Sequence, residues 1–154
     1  QFSVLPRNLV PACRDCNMDG KGHAFATKAE DQIIQPYADK DRFFTEQWIF
    51  ATYHAGIKEE PGNFIYFTSP PEGWPDVDKL RARKHFEDFD LAKRYATKAA
   101  EQLGIVLNQI RTMEQAGLEI VDIQHVLLQP GVDVAPFVNH WSKGMYHALL
   151  LSLH

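Results

Sequence analysis

An α+β fold follows from two features of this 154-residue chain. Trp48-Ile-Phe-Ala-Thr-Tyr53 and Asn63-Phe-Ile-Tyr-Phe-Thr68 are rich in aromatic and β-branched residues. The Glu59-Glu-Pro-Gly62 stretch between them carries turn signals, the pattern of a β-hairpin. From Asp76 onward the apolar period changes to three or four residues, which is the spacing of helices. Ahead of both lies a short segment with a C-x2-C pair, Cys13 and Cys16. The expected outline is an N-terminal metal segment, a hairpin, then three or four helices.

Taken in order, residues 1–7 read as the end of a strand or a loop, punctuated by Pro6. The two cysteines fall on a tight turn. Asn17 to about Ala29 starts a short helix that Gly20 and Gly22 weaken. Gln35-Pro-Tyr37-Ala-Asp39 is extended or a turn, because Pro36 biases its predecessor away from helix. Pro70, Pro71 and Pro75 mark a connector after the hairpin. Leu91, Tyr95, Ala99, Leu103, Val106, Ile110 and Met113 then line one face of a long helix. Gly104 is expected to bend or split that helix, and Gly117 to stop it. Ile120, Ile123 and Leu127 make a shorter helix ended by Pro130-Gly131. Trp141, Met145, Leu149 and Leu153 make a last one, with Asn139 as its N-cap.

Composition narrows the class. With 45% hydrophobic and 23% charged residues the chain has the make-up of one globular domain, not of a disordered segment. No apolar run approaches the ~20 residues that span a bilayer, so no membrane partner is expected. No basic-then-apolar leader is present. Two cysteines at this spacing are not a disulfide framework; they imply metal or redox chemistry in a reducing compartment. The net charge of −4 argues against a nucleic-acid protein, yet residues 1–28 carry +2 and the remainder −6. A polyanion can therefore meet the N-terminal segment while the rest stays acidic.

A C-x2-C turn lets two thiolates reach one zinc ion at about 2.3 Å. Structural zinc takes four ligands, and His23, seven residues after Cys16, is a candidate for another. A redox pair or two unlinked thiols are the alternatives, although a redox C-x2-C opens a helix after a strand and here it follows Pro11. In isolation Asn8 reads as a turn residue, Asn17 as a helix N-cap and Lys21 as a solvated charge. His54, His85, His125, His140, His147 and His154 show no metal-ligand spacing and read as structural or surface residues. The cluster Lys79, Arg81, Arg83 and Lys84 is flanked by Asp76, Asp78, Glu87 and Asp88. It reads as a salt-bridged helix face before it reads as a nucleic-acid track.

The spacing of the two asparagines around the cysteines changes these readings. Asn8-Leu-Val-Pro-Ala-Cys13-Arg-Asp-Cys16-Asn17, followed by Lys21, resembles the second half of the HNH endonuclease motif of bacterial and phage proteins. Phe2-Ser-Val-Leu-Pro-Arg-Asn8 fits the join into it. Gln35-Pro-Tyr37-Ala-Asp39 resembles that family's downstream His-Pro-Tyr-x-Asp, with Gln35 at the His position. His85-Phe86, Leu91, Arg94-Tyr95, Asn139-His-Trp141 and Tyr146 resemble its helical tail more loosely.

The resemblance implies a partial ββα-metal finger over residues 1–40, joined to a hairpin and helical subdomain over 41–154. It implies hydrolysis of DNA phosphodiesters: a His general base activates water, and Mg2+ or a similar divalent cation neutralises the phosphate. Asn8 would fix the loop presenting the base, and Asn17 would ligate or orient the catalytic cation. Cys13 and Cys16 would hold half of a structural Zn2+ site, whose other C-x2-C lies upstream. Arg14, Lys21 and Lys28 would contact phosphate. The family's base sits in an Asp-His-Tyr-Leu-Pro-Lys segment before Asn8, and residues 1–7 hold no His. This chain by itself is therefore expected to be inactive or nearly so. A cytoplasmic, bacterial or phage-encoded protein is implied, with a partner protein or oligomer as further partners. The rival expectation is a non-catalytic zinc-knuckle module that binds nucleic acid or a protein.

Overall fold

Alternating side chains set the hairpin. Ile49–His54 (β1) and Asn63–Thr68 (β2) pair antiparallel, with Ile49 opposite Thr68 and Ala51 opposite Tyr66. The computed structural model describes residues 28–57 and 60–153, and among these the hairpin is the one sheet. Ile49, Ala51, Phe64 and Tyr66 are buried on one face, whereas Thr52, His54, Asn63, Ile65 and Phe67 are exposed on the other.

Helices supply the rest of the α+β architecture. Arg42–Thr45 (α1) is one turn ahead of β1, and Asp76–Asp88 (α2) and Leu91–Gln115 (α3) follow β2. Ile120–Ile123 (α4), a π-helical turn Gln124–Leu128 and Gln129–Asp133 (α5) run consecutively, and Trp141–Ser152 (α6) closes the described chain. The helical stripe lands as its period predicts. Ala99, Leu103, Val106 and Ile110 are buried, and Leu91, Tyr95 and Met113 pack against that core. Met145 and Leu149 of α6 are fully buried in the same core. Gly117 ends the α3 segment in the left-handed region, φ 88°, where a glycine carries no Cβ penalty.

Three expectations need correction. Gly104 does not split α3, which runs as one helix of 25 residues. The position is exposed and faces open space, while Leu103 and Val106 beside it are anchored in the core. Nor does Pro130-Gly131 end the preceding helix. Pro130 falls in the first turn of α5, where its missing N–H is tolerated, and the π-helical turn before it changes the bonding pattern. Gly131 packs beneath Tyr146, whose ring atoms would lie 2.5 Å from any added Cβ. Finally, Asn139 is not the N-cap of α6. That place belongs to His140, whose Nδ1 accepts from Ser142 N at 3.3 Å.

Candidate functional site

The described chain begins with a strap, residues 28–42, that continues in sequence from the cysteine segment and lies along α2. A 3-10 turn, Ala29–Asp31, opens it, and the turn expected over 35–39 is present. Arg81 of α2 grips the strap at three places. Its Nε donates to Gln32 O at 3.0 Å and its Nη2 to Ile33 O at 3.0 Å. Its Nη1 and Nη2 donate to the two oxygens of Asp39 at 2.6 and 2.7 Å, a bidentate fork. Asp39 Oδ2 also accepts from Gln35 N at 2.6 Å, so one carboxylate closes the turn on itself. Arg81 is 7% exposed, and its guanidinium lies 5.3 Å over the Phe43 ring.

Neighbouring residues of α2 extend the ledge. Asp78, 1% exposed, takes Lys40 Nζ at 2.9 Å and Arg42 Nη1 at 3.4 Å. Lys84 pairs with Asp31 at 2.7 Å, and His85 Nδ1 accepts from Ile34 N at 3.4 Å. Positions 78, 81 and 85 lie at three- and four-residue spacing, so they share one helix face. Burial, then the positive charge of Arg81, pushes the His85 pKa down to about 4, which keeps the ring neutral and its Nδ1 free to accept. Burial acts to raise the Asp39 pKa, but the hydrogen bonds from Arg81 and from Gln35 N, with the guanidinium charge, outweigh it and hold that pKa below its ordinary value.

A second polar hub ties the tail to the hairpin. Asn139, 7% exposed, accepts from Trp48 N and Ile49 N at 2.8 and 3.0 Å through Oδ1. Its Nδ2 donates to Phe43 O and Glu46 O at 3.3 and 3.1 Å, and its own carbonyl accepts from Tyr95 OH at 3.0 Å. Between hub and ledge lies an apolar cavity of about 220 Å³, whose walls include Ile34, Pro36, Phe43, Trp48, His85 and Tyr95.

Of the residues singled out by sequence, Asn8, Cys13, Arg14, Cys16, Asn17, Lys21 and His23 lie outside the described residues. Lys28 is described: it is exposed, and its carbonyl accepts from Asp31 N at 3.2 Å. Among the described residues no group of three or more His, Cys, Asp or Glu is placed to hold a metal ion. Both cysteines of this chain, Cys13 and Cys16, precede the strap in sequence. The basic cluster of α2 does form ion pairs, but two of its members reach off the helix, Arg81 to Asp39 and Lys84 to Asp31, while Lys79 stays with Asp76 at 3.9 Å. Sequence reasoning named Asp78 only as an acid flanking the basic cluster, and anticipated neither its burial beneath Lys40 and Arg42 nor the hub role of Asn139. Asp39 had a signal in the Gln-Pro-Tyr-x-Asp string; Asp78 had none beyond its charge.

The chain is 39% identical over 162 residues to the "Protein ea31" of Escherichia phage lambda, a match covering 97% of this chain and 53% of that protein. It thus spans about half the length of the curated relative it matches. No family model matches the chain. No solved structure matches it. No helix among the described residues is long and apolar enough to cross a membrane.

Proposed function

We propose that this chain is part of an HNH-type endonuclease that hydrolyses DNA phosphodiester bonds. The observation that carries the reading is the Asn8…Cys13-x2-Cys16-Asn17…Lys21 string, in which two asparagines stand at HNH positions around a zinc-type cysteine pair. In this reading Cys13 and Cys16 hold structural Zn2+, and His23 is a further candidate ligand. Asn8 orders the loop that presents the general base, and Asn17 orients the catalytic cation. Arg14, Lys21 and exposed Lys28 meet the DNA backbone. The divalent cation, Mg2+ or a similar ion, supplies charge neutralisation at the scissile phosphate. The helical body's own task is to hold the finger, which the ledge on α2 supports. A bacteriophage relative is in keeping with the phage or bacterial form of the motif and with action in a bacterial cytoplasm.

Plasmid cleavage by the full product of the gene and by residues 1–154 alone, each with Mg2+ and with Mn2+, tests this. The full product is expected to cleave, and its Asn17→Ala variant to lose at least ~100-fold in kcat, the usual scale for removing a group that acts in the transition state. Residues 1–154 alone are expected not to cleave, since no His precedes Asn8 in them. Zinc bound at one equivalent without any cleavage by the full product would favour the zinc-knuckle binding module.

A further inference from the structure

Protein interiors leave few voids larger than one water molecule, so a cavity of about 220 Å³ between the ledge and the Asn139 hub is large for a packing defect. Two of its wall residues, Phe44 and Phe137, are 40% and 54% exposed, so its mouth reaches the surface. We propose that this cavity binds a small uncharged aromatic molecule carrying one hydrogen-bond acceptor, such as an aryl ketone; binding of this kind goes beyond the nuclease reading and does not depend on it. Half of the residues lining the cavity contribute a ring: Phe43, Phe44, Trp48, His85, Tyr95 and Phe137. Flat walls of this kind favour an aromatic guest, held edge to face or offset-stacked. No Asp, Glu, Lys or Arg is among the described walls, so a charged guest would be buried without a counter-charge. An apolar cavity of about 150 Å³ accepts benzene, and the larger volume here leaves room for a short substituent.

Hydrogen bonding sets the remaining requirement. Most donors around the cavity are already used. Trp48 Nε1 donates to Phe43 O at 2.9 Å, Tyr95 OH donates to Asn139 O at 3.0 Å, and the Asn139 amide makes four bonds. His85 differs. Its Nδ1 accepts from Ile34 N at 3.4 Å, so the neutral ring carries its proton on Nε2. That Nε2 has no hydrogen-bond partner among the described residues. Burial, then the Arg81 charge, holds the His85 pKa at about 4, so the ring is neutral and the donor is in place at neutral pH. One acceptor on an otherwise apolar guest satisfies it. A water molecule in that place needs two to four polar partners, and the walls leave few others unused.

Amide chemical shifts of the 154-residue chain, followed during titration with acetophenone, ethylbenzene and benzoate at neutral pH, test this. Acetophenone is expected to bind saturably, with the largest shifts at the wall residues Ile34, Trp48, Leu91 and Val138. Ethylbenzene lacks the acceptor and is expected to bind about threefold or more weaker, the scale of one hydrogen bond. Benzoate, the charged counterpart, is expected to bind about thirtyfold or more weaker. His85→Phe keeps a ring without an N–H, so acetophenone should lose its advantage over ethylbenzene. Val138→Phe enlarges a wall residue and should weaken both uncharged probes about tenfold or more. If either variant fails to fold, the order of the three probes on the wild type and the map of shifts still decide. Absence of saturation by acetophenone at millimolar concentration overturns the proposal. So do shifts centred on the exposed Ile65 and Phe67 of the hairpin, which mark non-specific partitioning. Equal affinity for acetophenone and either of the other probes overturns it as well.

Discussion

Asn139 shows how far one side chain's role depends on what lies opposite it. Its amide satisfies the N–H groups of Trp48 and Ile49 at the entry to β1 and two carbonyls at the end of α1, all within 3.3 Å. Alanine would take this partner from the two N–H groups and from Glu46 O, while Phe43 O keeps the Trp48 indole N–H at 2.9 Å, at about 1–3 kcal/mol for each group left unpaired that water cannot reach. Asn139→Ala is therefore expected to destabilise the chain by about 3 kcal/mol or more, read as a lower urea midpoint at unchanged m. Asn139→Asp should not rescue it, because a carboxylate accepts but cannot donate to Phe43 O and Glu46 O. The sequence places Asn139 two residues before Trp141, where a helix N-cap is the ordinary use of asparagine. Its partners at Trp48 and Ile49 stand about ninety positions away, and no local pattern records them. His140, its neighbour, takes the cap instead because its ring nitrogen, like an oxygen, can accept from Ser142 N.

Periodicity carries most of the information about the elements. The seven-residue stripe from Leu91 to Met113 correctly marks the buried side of α3, and the two aromatic runs correctly mark β1 and β2. What periodicity overstated was the power of glycine and proline to interrupt. Gly104 lies within α3, exposed, with nothing within 4 Å of an added Cβ. Gly104→Ala is accordingly expected to stabilise the chain by about 0.5–1 kcal/mol through helix propensity and reduced freedom of the unfolded chain. Gly117→Ala should do the opposite, losing about 1 kcal/mol, because φ is 88° there. Thermal melts of the two variants, one rising and one falling by a few degrees, check both. Pro130-Gly131 is the instructive failure at this scale. The same dipeptide that ends helices elsewhere sits at the start of α5 because a π-helical turn precedes it and the Tyr146 ring fills the space a larger residue would need. Gln124 in that π turn also donates to Leu150 O and Leu153 O, so it ties the irregular turn to the end of α6.

Across the whole molecule, the α2 ledge gives stability a defined pH dependence. His85 has a folded pKa of about 4 against 6.5 when unfolded, so the unfolded chain takes up its proton first as pH falls. Stability from this group is complete above pH 6.5 and declines down to about pH 4, by about 3 kcal/mol at ~1.4 kcal/mol per pKa unit. Asp39, whose folded pKa is lowered, adds a loss in the same direction below its ordinary value, as pH falls through the folded one. Urea midpoints between pH 7 and 4 should therefore fall steeply in the wild type and more gently in His85→Gln, with burial of His140 leaving a residual slope. At this scale the α+β class, the hairpin and the long helix were legible from residue spacing, because strand and helix periods are local properties of the chain. The chemistry proposed for Asn8, Cys13, Cys16 and Asn17 likewise rests on sequence, since motif spacing within ten residues needs no fold to be read. Which charges meet was decided only by tertiary structure. Arg81 has acidic neighbours on its own helix yet bonds Asp39, 42 positions away, and Asp78 is buried beneath Lys40 and Arg42. Coulomb attraction chooses partners by distance in space, and the distance from α2 to the strap exists only once the hairpin and α3 have packed.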